Sequence, residues 1–209
     1  MSQASLQFAK DVTAKANDAW LSGEFLERVT PTTKQLLTYW FGEQYCENRG
    51  LNFHEGQRQA ILNIIYLHEV LKTKSIFEAY EQIAPDLLLR SEGGLAEISK
   101  TKYNHPKYAI KMATGTGKTW VLSATLIWQY LNAKHEDGNF TKNFLVIAPG
   151  LIVYERLLDA FLGKEREGGD GRDFESSDIF HTQDLFLPES YREEIFGFFK
   201  SSVVVKEEI

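Results

Sequence analysis

Apolar residues recur at helical spacing in the N-terminal part of the chain. Thr30 followed by Pro31 predicts a helix start, because a hydroxyl caps the helix and proline at its first position sacrifices no hydrogen bond. The apolar face of this helix consists of Leu36, Leu37, Trp40 and Phe41. The pattern therefore predicts a helical N-terminal region over residues 1–52.

The helical pattern continues beyond this region. A second amphipathic stretch predicts a helix over residues 55–71. The capping box at Ser75-Ile76-Phe77-Glu78 predicts a short helix to about Ile83, and Pro85 is expected to end it. Between Ser91 and Lys107 the periodicity is weak, which favours an exposed connection.

The pattern changes in the middle of the chain. Tyr108–Met112 is predicted to be a short strand, and the apolar residues of 118–131 nearly encircle a helix. Phe144–Ala148 is an uninterrupted apolar run of strand length, which is typical of an interior parallel strand. Strand, helix and strand together predict a βαβ unit with a right-handed crossover.

Helices are predicted again further along, over about 151–162 and from Pro188 to about Phe199. The glycine-rich, charged stretch Gly163–Arg172 is the strongest candidate for disorder. Residues 202–205 are predicted to form a last strand.

A phosphate-binding pattern lies between the first predicted strand and the helix that follows. Met112–Thr119 matches G-x-x-x-x-G-K-[ST] except at its first position, where methionine replaces glycine. In such a loop the backbone N–H groups surround the phosphates of a nucleotide, and the helix N-terminus adds partial positive charge. Lys118 is predicted to reach the β- and γ-phosphates, and the Thr119 hydroxyl to ligate Mg²⁺.

Composition limits the classes of protein and the cellular location that fit this chain. The formal net charge of −6 argues against a basic protein that coats nucleic acid, although it permits a local basic groove. Cys46 is the only cysteine, so no intrachain disulfide is possible. With no leader pattern and no apolar run of membrane-spanning length, we expect a cytoplasmic protein without membrane contact. The five histidines lack metal-ligand spacing and are expected to be structural or solvated, and the tryptophans are expected in the core.

The surroundings of the loop point to a family. Met112–Thr119 resembles motif I of superfamily 2 helicases and translocases. The wider stretch 107–130 looks like the restriction (Res) subunits of type III restriction–modification enzymes and their DEAD/DEAH-box relatives. Phe53–Ile61 is similar to the segment upstream of motif I in that family, where a glutamine, here Gln57, reads the adenine edge.

A further segment agrees with this resemblance. Leu145–Leu151 together with Tyr154-Glu155-Arg156-Leu157 resembles motif Ia, a loop at a strand end that grips the nucleic-acid backbone. The resemblance thus implies contacts to nucleic acid from Pro149, Gly150 and Arg156.

The family resemblance implies an α/β fold: a partial RecA-like (P-loop NTPase) parallel sheet with flanking helices, preceded by the helical N-terminal region. Residues 53–209 would be an incomplete first ATP-binding lobe with an insertion at about 73–106. The implied cofactors are ATP and Mg²⁺, and the implied partners are double-stranded DNA and a modification (methyltransferase) subunit. The implied catalytic residues are Lys118 and Thr119. The residues expected to hold the nucleotide are Gln57, Thr114, Gly115, Thr116, Gly117, Lys118 and Thr119.

Hydrolysis by such a motor requires an aspartate for Mg²⁺ and a glutamate that orients the attacking water. The printed sequence contains neither Asp-Glu-x-His nor Asp-Glu-x-Asp. Its nearest candidate is the acidic end of 203–208, where Lys206 stands in place of the aspartate. We therefore expect the N-terminal portion of a longer helicase or translocase, with little turnover on its own.

Two other functions remain open from the residues alone. A P-loop nucleotide kinase or phosphotransferase would need lid arginines, for which Arg156, Arg166 and Arg172 are the nearby supply. A non-catalytic interaction module is the other alternative.

Overall fold

The computed structural model describes residues 3–90, 107–169 and 171–202. Helices dominate these ranges, and the chain divides into two compact units. Unit 1 comprises Met1–Lys34 and His54–Lys118, and unit 2 comprises Gln35–Phe53 and Thr119–Ile209. Each unit is built from two separate stretches of the chain.

Unit 1 is helical up to its last stretch. Its elements are α1 (Gln3–Ser22), α2 (Glu24–Arg28), the first turn of α3 (Pro31–Phe41), α5 (Glu55–Ile65), a π-helical turn (Tyr66–Val70), α6 (Ile76–Ile83) and α7 (Pro85–Arg90). Helix α1 packs against α2, α5 and α6. The Phe8 ring stacks on Tyr80 with centroids 3.9 Å apart, and the Asn17 amide donates to Gln59 at 2.9 Å.

A buried carboxylate holds the start of α3. Glu69 lies in the π-helical turn and is 5% exposed. One of its oxygens accepts from the Thr30 backbone N–H at 2.9 Å, and the other accepts from the Thr33 hydroxyl. The Thr33 N–H also donates to the Thr30 side chain at 3.1 Å, which confirms Thr30 as a helix cap. The π-helical turn thus places an acidic side chain where helix N–H groups need acceptors.

Unit 2 contains the remainder of α3 and the C-terminal elements. These are α4 (Glu43–Cys46), α8 (Lys118–His135, whose first residue belongs to unit 1), α9 (Leu151–Leu162), β1 (Lys164–Glu165), β2 (Arg172–Asp173), a 3₁₀ turn (Phe174–Ser176), α10 (Asp178–His181), α11 (Gln183–Phe186) and α12 (Glu189–Lys200). Helix α9 packs against α10, α12 and the 3₁₀ turn.

The core of unit 2 is rich in aromatic side chains. Trp40 is fully buried, and its indole N–H donates to the Phe186 carbonyl at 2.8 Å. The Phe53 ring meets Trp40, Trp120 and Phe186 edge-on, with centroids 5.5–6.2 Å apart. Edge-to-face contacts of this kind stabilise a core beyond the burial of area alone. Trp40 and Trp128 are core residues, as the sequence predicted.

The helix predictions are largely confirmed, with two local corrections. The Ser75 hydroxyl accepts from the Glu78 N–H at 3.2 Å, but the Glu78 carboxylate accepts from Lys74 N–H rather than from Ser75. Pro85 does more than end α6, because it occupies the first position of α7. Proline is tolerated there, since that N–H has no intrahelical acceptor.

The strand predictions differ from the structure. Neither Tyr108–Met112 nor Phe144–Ala148 forms a strand, and the one sheet in the described ranges is antiparallel β1–β2. Leu145 and Ile147 are 86% and 79% exposed. An extended segment becomes a strand only when a neighbour completes its hydrogen bonds, and the apolar run lacks such a neighbour among the described residues.

The stretch predicted to be disordered is ordered on either side of Asp170. Lys164 pairs with Asp173 and Glu165 with Arg172, which forms a two-stranded hairpin. Asp170 itself, the weakly patterned stretch 91–106 and the predicted strand and acidic end at 203–208 lie outside the described residues. None of the helices in the described ranges is long and apolar enough to cross a membrane.

Candidate nucleotide-binding site

The phosphate-loop motif forms a tight turn at the N-terminus of α8. Gly115 and Gly117 adopt φ of 80° and 70°, in the left-handed region that glycine enters without steric cost. Open space surrounds the position of a Cβ at Gly115, so the requirement there is conformational rather than steric. The turn leads directly into Lys118, the first residue of the 18-residue helix α8.

The loop is closed by bonds to a single carbonyl. The Lys118 ammonium donates to the Ala113 carbonyl oxygen at 2.7 Å, and the Thr116 hydroxyl donates to the same oxygen at 2.7 Å. The lysine side chain therefore folds back across the turn toward the Ala113 carbonyl. An incoming anion would compete with this carbonyl for the ammonium, and a charged acceptor binds more strongly than a neutral one.

The start of α5 contacts the loop through two side chains. The Gln57 amide nitrogen donates to the carbonyl oxygens of Thr116 and Gly117, both at 3.3 Å, and its oxygen accepts from His54 N–H at 3.1 Å. The His54 ring Nε2 lies 3.1 Å from the Thr116 oxygen. Because a carbonyl only accepts, this contact requires the ring proton on Nε2. Gln57 is 2% exposed, whereas His54 is exposed.

Two further residues of the predicted loop, Thr114 and Thr119, differ in their exposure. Thr114 is exposed in the turn, and Thr119 is half-buried in the first turn of α8. The Thr119 carbonyl accepts from the Ser123 hydroxyl at 2.9 Å. The division between the two units falls between Lys118 and Thr119.

The residues of the loop fit the triphosphate end of a nucleotide. The first N–H groups of a helix have no intrahelical acceptors, and the helix dipole favours negative charge at that end. Lys118 adds a full positive charge, and Thr119 supplies a hydroxyl oxygen of the kind that Mg²⁺ accepts. Within the described ranges, no group of three or more His, Cys, Asp or Glu side chains is arranged to hold a metal ion.

Tyr108 precedes the loop in unit 1 and is partly shielded. Its hydroxyl lies 3.5 Å from His68 Nδ1. Burial raises the pKa of Tyr108 above the ordinary value of 10.0, and a hydrogen bond with Thr73 acts in the opposite direction. The residue as a whole is 37% exposed. Tyr108 is therefore neutral at physiological pH.

The predicted nucleic-acid residues lie in unit 2. Pro149 and Gly150 precede α9, and Gly150 is extended, with φ of 176°. Arg156 is exposed on α9. Leu151 and Ile152, in the first turn of this helix, are 67% and 79% exposed. This end of α9 therefore presents an apolar surface beside its arginine.

Sequence reasoning missed two participants of the loop. The Ala113 carbonyl gathers the Lys118 and Thr116 donors, and no side-chain pattern reports on a backbone oxygen. His54 was interpreted as structural or solvated, yet its ring contacts the loop. Its position immediately before the α5 N-terminus, three residues ahead of Gln57, is the signal that could have drawn attention to it.

Comparison with known proteins agrees with the resemblance seen in the sequence. A family model described as type III restriction enzyme, res subunit, matches residues 50–195, well over half of the chain. No curated protein and no solved structure matches the sequence. The matched range contains the phosphate loop, the start of α5 and helix α9. The chain belongs to the family of type III restriction enzyme res subunits.

Proposed function

We propose that this chain is the ATP-binding portion of a DNA helicase or translocase of the type III restriction subunit kind. Lys118 and the N–H groups of residues 114–119 hold the nucleotide phosphates, and Thr119 holds Mg²⁺ together with them. The acidic pair that drives hydrolysis does not occur in the printed sequence. We therefore expect the chain alone to bind Mg-ATP with little turnover.

One observation carries the nucleotide-binding part of this proposal. Two left-handed glycines turn the chain into the N-terminus of an 18-residue helix, and the lysine at its first position reaches back over the turn. Turn, helix terminus and cation thus converge on one place. Family membership supports the same chemistry.

The exposed apolar run supports a sheet in the complete lobe. Phe144–Ala148 has the composition of an interior strand, and its central side chains are largely exposed. Burying each such side chain is worth about 1.5–3 kcal/mol, so strand pairing with flanking helices is strongly favoured once neighbours are available. We propose that Tyr108–Met112 and Phe144–Ala148 become strands of a RecA-like parallel sheet.

DNA and the modification subunit are the proposed partners. Arg156 is exposed beside the exposed N-terminal turn of α9, a position from which it can pair with a backbone phosphate. Pro149 and Gly150 place the start of that helix. These assignments rest on the resemblance to motif Ia and on family membership.

The nucleotide kinase alternative finds less support. A lid needs arginines that are free to reach a second phosphate site, but Arg172 is held by its surroundings. Its guanidinium donates to Asp159 at 2.7 Å, to the Gly163 carbonyl at 2.6 Å and to Glu155 at 3.0 Å. Its side chain is 18% exposed, so these pairs are partly desolvated. Activity with nucleoside monophosphates in a coupled assay would favour the kinase.

Substitution of the loop lysine tests the proposed function. We expect Lys118→Ala to weaken Mg-ATP binding by about 10- to 100-fold, because a charge-assisted contact to phosphate is removed. Isothermal titration calorimetry measures the affinity. Lys134→Ala is the matched control, since Lys134 lies in the last turn of the same helix.

The control protein should bind Mg-ATP as the unmodified chain does. Equal ATP affinity for Lys118→Ala and the unmodified chain would refute the phosphate-loop assignment.

A further inference from the structure

We propose that His54 and Gln57, here called the anchor pair, are positioning residues that set the conformation of the phosphate loop from the start of α5. This inference rests on the proposed function, because the loop must bind a nucleotide for its conformation to matter. It concerns how the loop is held, and it assigns His54 a role that the sequence did not indicate.

The anchor pair reaches the loop through two independent contacts. Gln57 donates from one amide nitrogen to the Thr116 and Gly117 carbonyls, and the His54 ring reaches the Thr116 carbonyl from its Nε2. Thr116 therefore receives a donor from each residue. The bond from His54 N–H to the Gln57 amide oxygen orients that amide, so that its nitrogen faces the loop.

Because of peptide geometry, these contacts to carbonyls also fix the directions of the N–H groups that would bind a phosphate. In a trans peptide, the C=O of one residue and the N–H of the next point in opposite directions. Fixing the Thr116 carbonyl toward α5 therefore directs the Gly117 N–H away from α5. Fixing the Gly117 carbonyl does the same for the Lys118 N–H. These are among the N–H groups that a phosphate would contact at the helix N-terminus.

Glycine makes this restraint necessary. Gly115 and Gly117 hold positive φ, and glycine also populates many other conformations when nothing restrains it. A loop that must be ordered on binding weakens affinity, and preorganisation removes this cost. From the start of α5, the anchor pair restrains the carbonyls of the two peptides that flank Gly117.

The burial of Gln57 separates this role from base reading. Both of its amide atoms are bonded within the protein, and the residue is 2% exposed. To read adenine, the amide would have to leave the loop carbonyls and His54. A positioning residue affects every ligand that uses the phosphate loop, whereas an adenine reader affects adenine nucleotides alone.

The test compares three ligands: Mg-ATP, Mg-GTP and magnesium inorganic tripolyphosphate. We expect Gln57→Ala to weaken the binding of all three by a similar factor, about tenfold, because two hydrogen bonds that preorganise the loop are lost. Calorimetric titration gives the three affinities. A loss confined to Mg-ATP would overturn the inference in favour of adenine reading.

Gln57 is buried, so its substitution also risks the fold, and His54 supplies a second test at an exposed position. We expect His54→Ala to weaken tripolyphosphate binding about three- to fivefold. His54→Gln should restore it, since a glutamine amide can donate from about the position of Nε2, whereas His54→Phe should not. Rescue by a donor, and not by ring shape, is the signature of the contact to Thr116.

Gln59→Glu is the matched control for the amide chemistry. Gln59 lies on the same helix, but its amide bonds to Asn63 and Asn17, away from the loop. We expect the Gln59→Glu protein to bind all three ligands with the affinities of the unmodified chain. Amide ¹H–¹⁵N resonances of Gly117 and Lys118 should shift in the nucleotide-free His54→Ala protein, and they should stay in place in Gln59→Glu.

The outcomes separate the two proposals. If the unmodified chain binds none of the three ligands, the proposed function fails. If it binds them and both His54→Ala and Gln57→Ala retain tripolyphosphate affinity, the anchor pair is wrong while the proposed function stands.

Discussion

At the scale of single residues, the contacts of a side chain depend on its place in the folded chain, which its residue type does not reveal. Lys118 and Thr119 were identified from sequence because their spacing from the glycines is a local property. Gln57 was identified through resemblance, but its contacts could not be, because they join residues about sixty positions apart. His54 was missed for the same reason. A histidine next to a helix start has many possible partners, and only folding selects one.

Tyr80 supports a prediction at this scale. Burial raises its pKa above 10.0, so the folded state keeps the phenol proton more tightly than the unfolded state does. This stabilisation is fully present below pH 10 and is lost as pH rises above it, because the unfolded chain ionises first. We expect Tyr80→Phe to lose less stability than the unmodified protein between pH 8 and about pH 11, as measured by urea unfolding.

Tyr45→Phe is the comparison for this experiment, since Tyr45 is 37% exposed whereas Tyr80 is 4% exposed. An equal alkaline loss in Tyr80→Phe and in the unmodified protein would contradict the prediction.

At the scale of elements, local signals predicted the helices well and the hairpin poorly. Helix α9 spans Leu151–Leu162, as its apolar periodicity indicated. The β1–β2 hairpin has the composition of a disordered loop, yet Arg172 ties it to α9 through Glu155 and Asp159. Composition reports how much apolar surface a segment can bury, and it does not report ion pairs with a neighbouring helix.

Gly163 carries a prediction for this hairpin. It joins α9 to β1 with φ of 83°, and a Cβ there would lie 1.7 Å from the Asp173 carbonyl oxygen. We expect Gly163→Ala to lower the free energy of unfolding by at least about 3 kcal/mol, because backbone must shift to relieve the clash. Urea denaturation followed by circular dichroism measures the loss.

Gly168→Ala is the control that separates the effect of the steric clash at Gly163 from the effect of backbone strain. Gly168 also has positive φ, at 108°, but nothing lies within 4 Å of its Cβ position. This variant should lose only about 1–2 kcal/mol, the cost of a left-handed alanine. Similar losses for both variants would mean that contact with Asp173 contributes nothing.

At the scale of the whole molecule, the apolar run Phe144–Ala148 is unusual because Leu145 and Ile147 are 86% and 79% exposed. We expect Leu145→Ser with Ile147→Ser to change the free energy of unfolding by less than about 0.5 kcal/mol, since both side chains are already exposed. The double variant should also associate less with itself, because exposed apolar patches promote aggregation. Urea denaturation and light scattering after gel filtration measure the two effects.

Ile195→Ser is the buried counterpart, since Ile195 is 0% exposed. It should cost about 3 kcal/mol through lost burial and an added hydroxyl. If the double variant lost as much, the run would already be packed in a sheet in this chain, contrary to its observed exposure.

The sequence alone indicated the longer helices, the phosphate-loop motif and the family. Helix periodicity, caps and a glycine–lysine turn are properties of a few neighbouring residues, so they can be read without knowing the fold. The family match over residues 50–195 agrees with that interpretation. The predicted domain boundaries at 1–52 and 53–209 stay predictions.

Tertiary structure decided what depends on distant partners. An apolar run predicts strand conformation, but a strand forms only beside another strand, and Phe144–Ala148 has none among the described residues. Folding likewise brings the start of α5 against the loop, where Gln57 and His54 meet the carbonyls of residues 116 and 117. The sequence shows that both side chains can donate hydrogen bonds, but only the folded chain shows which carbonyls accept them.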